Sequence, residues 1–381
     1  MRIGINALYL VPKKAGGLET VLRNLLAAIA KIDNKNEYYL FTNSECSGTF
    51  ETGRIINEVK CPVSGACRPC KHIWEQTIFP WWLKKYKIDV LLSPGNVAPL
   101  YSPCPSVSII NDAIPFIRPE SFGLVEKIML RILFRLTAMR SAAILTLSES
   151  AKREIVLHLG VKSKKVQAVY LAAEERFFPS IDNLDEVLNR HGIRKPYLIC
   201  VASSRPYKNV GGLVRAFALL KERHSIPHQL VIIGLAGSAH TELLNIADVL
   251  IANSDIIFTG HVKDDELPKL YSGAIASVYP SFYEGFGLPL LESMACGTPV
   301  VSSNAASLPE VLGDAGILFD PHDIKLMSEA IFSVISDEGL RNVLREKGFE
   351  RVKTFSWETS AGQIINILEE EAHYFMAGRR H

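Results

Sequence analysis

The sequence predicts an α/β protein of two Rossmann-like domains facing across a cleft, and three observations lead there. The chain has 381 residues, about twice a usual domain length. Short apolar, β-rich runs alternate along it with helical patterns, the signature of parallel sheets joined by crossover helices. The alternation also stops near residue 178 and starts again near 190.

The first domain is expected over residues 1–178. Its strands are read at Arg2–Asn6, Tyr38–Phe41, Asp89–Leu92, Ser106–Ile110 and Ala143–Leu147. Leu18, Val21, Leu22, Leu25, Leu26 and Ile29 recur at helical spacing after the first strand. Ser148 offers a hydroxyl cap to a helix running to Leu159. The second domain is expected over 190–355, with strands at Tyr197–Val201, Leu230–Ile233, Ile256–Phe258, Ala276–Tyr279 and Thr298–Ser302. Residues 356–381 read as a helical segment packing back on the first domain.

Composition narrows the class of function. Hydrophobic residues make up 48% and charged ones 22%, which supplies two cores and excludes a disordered chain. The net charge of +2 gives no argument for a nucleic-acid partner. Seven cysteines, an odd number, fit reduced thiols in a cytoplasmic protein better than a disulfide framework. Cys61, Cys67 and Cys70 lie close to His72, so zinc is conceivable, but no second ligand pair follows and a loop of free thiols is the preferred reading. No run of about 20 apolar residues suggests a membrane span. The opening MRIGINALYL reads as a buried strand rather than a signal peptide.

In open α/β sheets ligands bind beyond the carboxyl ends of the strands, so the loops leaving strands carry the candidate site. After the first strand, Gly16 and Gly17 open a helix, where close backbone approach and amide dipoles suit a phosphate. After the strand ending at Val201, Arg205 and Lys208 suit a diphosphate, one as a planar fork and one as a point charge. After Tyr279 comes PSFYEGFGLPLLE. Glu284 stands at the mouth of a helix, Gly285 and Gly287 bracket Phe286, and Glu292 is expected about two turns into that helix. One carboxylate can accept sugar hydroxyls and the other the pair of ribose hydroxyls, with the amides between them facing a diphosphate.

The two glutamates, inside PSFYEGFGLPLLESMACGTPVVSSNAASLPEVLGDAGILFDP, resemble the signature of family 4 glycosyltransferases, which have the GT-B fold. RPYKN is similar to that family's diphosphate motif, and HVKDDELPKLYSGAIASVYPS, ILTLSESAKREI and FSWETSA are similar to other landmarks. The resemblance covers nearly the whole chain. It implies that Arg205 and Lys208 hold the donor diphosphate. Glu284 with the Gly285, Phe286, Gly287 and Leu288 backbone would hold the transferred sugar, and Glu292 the ribose. Gly16 and Gly17 would reach the donor phosphates, and Gly260, His261 and Val262 would flank the base. It further implies transfer with retention of configuration and no required metal. Asp264 and Asp265 read as helix capping rather than as metal ligands.

One departure stands out. Many relatives carry His-Asp after a first-domain strand, and here Asn111 precedes Asp112. An amide cannot exchange a proton near neutral pH, so any role needing an imidazole at 111 is in doubt. Asp112 is expected to orient donor or acceptor, or merely to bond the turn at Pro115.

The donor is expected to be a nucleotide sugar, GDP-mannose ahead of a UDP-sugar, and the acceptor a glycan or lipid-linked glycan. Trp81–Lys87 and Leu124–Arg140 mix apolar with basic residues, which fits peripheral contact with the inner face of an anionic membrane or, alternatively, two core-facing helices with solvated charges. Rival readings on the same fold are a nucleotide-sugar epimerase, a glycogen-type synthase and a catalytically silent scaffold.

Overall fold

A computed structural model describes residues 1–12, 17–50, 55–234 and 253–378. The chain forms two compact units, one of Met1–Leu171 with Ser356–His381 and one of Ala172–Phe355.

The first unit holds a parallel sheet of seven strands: β1 (Arg2–Asn6), β2 (Glu37–Thr42), β3 (Ile56–Lys60), β4 (Val90–Ser93), β5 (Ser106–Ile109), β6 (Ala143–Thr146) and β7 (Val166–Ala168). Their order is β3-β2-β1-β4-β5-β6-β7. The helices are α1 (Gly17–Ile32), α2 (Arg68–Thr77), α3 (Phe79–Lys85), α4 (Ile114–Ile117), α5 (Leu124–Arg140) and α6 (Glu149–Leu159). Val21, Leu22, Leu25, Leu26 and Ile29 of α1 are buried, as their spacing requires. Ser148 accepts from Ala151 N and caps α6 at the expected place. The C-terminal helix Trp357–Gly378 completes this unit. Ser360 Oγ donates to the carbonyl of Tyr170, Asn36 donates to Glu369 at 2.9 Å, and Lys31 pairs with Glu358.

The second unit holds a parallel sheet of six strands: β8 (Tyr197–Val201), β9 (Gln229–Ile233), β10 (Ile256–Gly260), β11 (Ala276–Tyr279), β12 (Val300–Ser303) and β13 (Gly316–Phe319). Their order is β10-β9-β8-β11-β12-β13. The helices here are α7 (Leu184–His191), α8 (Val210–His224), α9 (Leu267–Ser272), α10 (Leu288–Ala295), α11 (Leu308–Leu312), α12 (Ile324–Ser336) and α13 (Glu338–Val352). Successive strand residues feed opposite cores. Leu198, Cys200, Leu230 and Ile232 join one apolar cluster, while Tyr197, Ile199, Val231 and Ile233 join the other. Both faces are therefore covered, which is why these strands read as unbroken apolar runs.

Three expectations change. The division falls after Leu171 rather than 178, because Phe177 packs with Leu184 and Tyr271 in the second unit's core. Cys67 and Cys70 are joined in a disulfide at the start of α2, so of the three cysteines expected as free thiols only Cys61 is one. Burial pushes the Cys61 thiol up to about 12, and no group of three or more metal-ligating side chains occurs among the described residues. The third concerns α5. Only Phe134, Thr137 and Ala138 of it are buried, and its outward face is apolar, with Leu124 67%, Val125 81%, Ile128 51% and Ile132 54% exposed. One side of the helix does face the core, with Phe134, Ala138, Leu130 and Leu133 in one cluster, but the outward side is largely apolar rather than a solvated basic one. Trp82 and Leu83 of α3 do pack inward, while Trp81 stays exposed beneath Lys85. Among the described residues no helix is long and apolar enough to cross a membrane.

Candidate functional site

In the second unit, β8 and β11 are neighbours. The chain leaves β8 toward β9 on one side and β11 toward β12 on the other. Sheets of this kind bind ligands at such a reversal point, beyond the carboxyl ends of the strands. The loop after β8 carries Arg205 and Lys208, and the loop after β11 carries Glu284.

These loops are tied together. Lys208 Nζ donates to Glu284 Oε1 at 2.6 Å, and both side chains are less than a fifth exposed. Burial alone would push the Lys208 ammonium down, but the Glu284 carboxylate and its hydrogen bond outweigh that and hold it above its ordinary value. Ser281 Oγ donates to the same Glu284 oxygen at 2.8 Å, and Phe282 N donates to the carbonyl of Tyr207 at 2.8 Å. Asn209, in the left-handed region at φ 53°, donates from Nδ2 to the carbonyls of Pro280 and Pro321, both at 3.0 Å. Arg205 is different: it is exposed and has no partner among the described residues. Lys208 is thus a fixed, locally compensated charge, whereas Arg205 is an uncompensated one.

The Glu284–Leu288 segment is shaped for its amides. Ser307 Oγ lies 2.9 Å from the Glu284 carbonyl and 2.7 Å from that of Phe286. Trans peptides oppose C=O and N–H, so the amides of Gly285 and Gly287 turn away from Ser307. Gly287 caps α10 at φ 110°, and a Cβ there would meet Leu308 at 2.9 Å. Only glycine suits that position. The Phe286 ring is buried against Phe355, so Phe286 offers the site its backbone alone. Leu288 is the first residue of α10.

Glu292 is the fifth residue of α10, just over one turn in rather than two. Tyr271 OH donates to its Oε2 at 3.4 Å, and Tyr279 OH donates to Tyr271 OH at 3.0 Å. Burial raises the Glu292 carboxyl to about 7, and the Glu174 carboxylate adds to it; Arg176 and the Tyr271 hydroxyl act the other way. Arg176 itself bonds Glu174 at 2.9 Å and the Asp264 carbonyl at 2.7 Å.

Other expected residues fall elsewhere. Gly260 ends β10 at φ 65° and His261 is exposed beside it, but Val262 is packed in the core and its side chain cannot flank a base. Asp264 and Asp265 cap nothing: α9 starts after Glu266, which takes no cap bond and instead binds Arg190 and His191, while Asp264 pairs with Arg176. In the first unit Gly17 begins α1, exposed, with open space around it, and Gly16 lies outside the described residues. Asp112 accepts from Ile114 N at 3.0 Å, bonding its own turn as one reading allowed. Asn111 is buried, and its backbone N–H donates to Asn96 at 2.8 Å.

Sequence reasoning missed Ser281, Ser307, Asn209 and the Glu174–Arg176 pair. Ser281 and Asn209 stand inside the motifs quoted, yet their partners are set by folding rather than by spacing. Glu174 and Arg176 precede the second domain's expected start.

A doubly wound unit with paired cations and a carboxylate at its reversal point, beside a glycine-capped helix, has the make-up of a nucleotide-diphosphate site. Comparisons agree. Residues 15–174 match the family described as Glycosyltransferase Family 4, and residues 184–351 match Glycosyl transferases group 1. O-antigen chain mannosyltransferase B of Escherichia coli is 36% identical over 228 residues, 59% of this chain and 60% of that protein. The chain therefore matches three-fifths of that relative's length. Sucrose-phosphate synthase from Thermosynechococcus elongatus superposes with TM-score 0.78 at 18% identity, covering 99% of this chain and 100% of that one. Anabaena HepE in complex with UDP-glucose superposes with TM-score 0.75 at 17% identity, covering 97% and 100%. The chain belongs to family 4 of the glycosyltransferases and has the two-domain GT-B fold.

Proposed function

We propose that the protein is a retaining glycosyltransferase that moves a hexose of the mannose type from a nucleotide diphosphate sugar to a glycan or lipid-linked acceptor in surface-polysaccharide assembly. One observation carries the reading: the Arg205–Lys208 loop and the Glu284 loop meet at the reversal point between β8 and β11. Arg205 and Lys208 stabilise charge on the departing diphosphate, together with the amide end of α10. Glu284 takes hydroxyls of the transferred sugar, and Glu292 takes those of the ribose. The leaving diphosphate oxygen accepts the acceptor's proton, so the protein works by positioning and charge stabilisation. No metal is needed in this scheme.

GDP-mannose is the favoured donor, supported by the likeness to the E. coli mannosyltransferase. A thermal-shift series with GDP, UDP, GDP-mannose and UDP-glucose tests it, because a ligand of the native state raises the melting temperature. The guanine ligands should give the larger shift, and transfer should persist in EDTA. No shift with any of the four would overturn the reading.

The protein acts at the inner face of a membrane in this proposal. The outward face of α5 supports it: exposed Leu124, Val125, Ile128 and Ile132 with Lys127 and exposed Arg135 and Arg140 alongside. Apolar side chains flanked by cations match an anionic bilayer surface.

A further inference from the structure

Four buried polar atoms without a hydrogen-bond partner belong to residues at or near the carboxyl edge of the first unit's sheet. They are the hydroxyls of Tyr9 and Ser93, Nδ1 of His72 and Oε2 of Glu75, four of ten such side-chain atoms among the described residues. Ser93 ends β4, and Tyr9 follows β1 by three residues. A Cβ on Gly95 would come within 2.5 Å of the Tyr9 ring, so Tyr9 rests on the loop leaving β4. β1 and β4 are neighbours, and the chain runs from them to opposite sides of the sheet. This is the first unit's own reversal point, where a ligand is expected. Unpaired buried polar groups are few in native proteins and call for an explanation.

Glu75 and His72 are the chemically active members. Asn6, the last residue of β1, donates from Nδ2 to Glu75 Oε1 at 2.6 Å, and both side chains belong to residues only 2% exposed. The other Glu75 oxygen lies 3.6 Å from His72 Nδ1, facing that nitrogen just beyond hydrogen-bond distance. Lys71, 8% exposed on the same helix, is a further charge near Glu75. The His72 side chain keeps 20% exposure and Nδ1 is its buried nitrogen, so the accessible part of the ring carries Nε2. A carboxylate beside one ring nitrogen keeps the proton there and leaves the other nitrogen as an acceptor.

We propose that His72 is an acceptor-binding residue whose Nε2 accepts a hydrogen bond from a hydroxyl of the acceptor sugar, with Glu75, held by Asn6, as the positioning residue that fixes its tautomer. The ligand class is a polyhydroxylated glycan end. The inference rests on the glycosyl-transfer reading and gives the first unit an imidazole where position 111 has none.

The experiment uses the full chain with GDP-mannose as donor and methyl α-mannoside as acceptor probe, and measures acceptor KM, GDP affinity and melting temperature. His72→Ala should raise acceptor KM about tenfold, the loss expected for one well-placed hydrogen bond, with GDP affinity and melting temperature unchanged. His72→Gln, which retains an acceptor, should recover part of that loss. Glu75→Gln should raise acceptor KM too, because an amide N–H facing Nδ1 drives the ring proton to Nε2. Acceptor KM at the wild-type value in His72→Ala overturns the proposal. So does a parallel fall of GDP affinity, acceptor use and melting temperature, which marks a structural role. Failure of the parent reading shows separately, as a wild-type protein that binds neither GDP nor UDP, and takes this inference with it.

Discussion

At the scale of residues, the proposed donor site holds two carboxylates in different surroundings. Glu284 faces an ammonium held charged against it, whereas burial and a neighbouring carboxylate raise Glu292 to about 7. Lys208→Ala removes a charge-assisted bond, worth about 1.5–3 kcal/mol, and leaves Glu284 with Ser281. Transfer should fall at least about tenfold while circular dichroism shows a folded protein; near-normal kinetics would count against the assignment. Glu292 carries a pH dependence. Its folded form holds a proton up to about 7, while the unfolded chain releases it near 4.5. The stability this contributes is present at low pH and is lost as pH rises through about 7. Glu292→Gln should therefore gain in melting temperature relative to wild type between pH 5 and pH 8. Hydroxyls of a ribose favour the ionised carboxylate, so wild-type affinity for GDP should rise over the same interval, and calorimetry at the two pH values reads it.

At the scale of elements, short segments fix where those residues stand. Gly287 combines φ 110° with a Cβ position 2.9 Å from Leu308. Gly287→Ala should cost about 1–3 kcal/mol, read as a lower denaturation midpoint, and should weaken GDP binding by displacing the start of α10. The α5 helix makes a second case. Ile128→Asp, at an exposed position, should abolish flotation with anionic vesicles yet leave transfer to a soluble acceptor intact. Wild-type protein that fails to float, at low salt, would remove the membrane contact from the proposal. What sequence could reveal also divides by element. The central strands were legible as unbroken apolar runs. The three strands it did not reveal, β3, β7 and β13, all lie at sheet edges. INEVK and VQA are short and partly polar, as a strand with one open side can be. The loops proposed for the donor stand out in the sequence because contiguous motifs carry them. The Asn209 anchor, the Ser307 contacts and the Asn6–Glu75 bond do not, because each joins residues whose nearness only folding creates.

At the scale of the molecule, the two units solve one problem twice. Each is a doubly wound sheet with polar groups gathered where its strand order reverses. The units differ in how the chain supplies them. The second is one continuous stretch, while the first borrows the C-terminal helix, whose Trp357 and Ile364 line a space shared with Val21 and Leu25 of α1. On the ribosome this inverts the usual order, in which the amino-terminal domain closes first. The later-made unit has all its parts once residue 355 has emerged. The earlier-made one must wait with part of α1 uncovered until residues 357–378 have followed. Nascent chains stalled before residue 356 should be cut by protease in the first unit and spared in the second, and a chain complete through residue 378 should be spared in both.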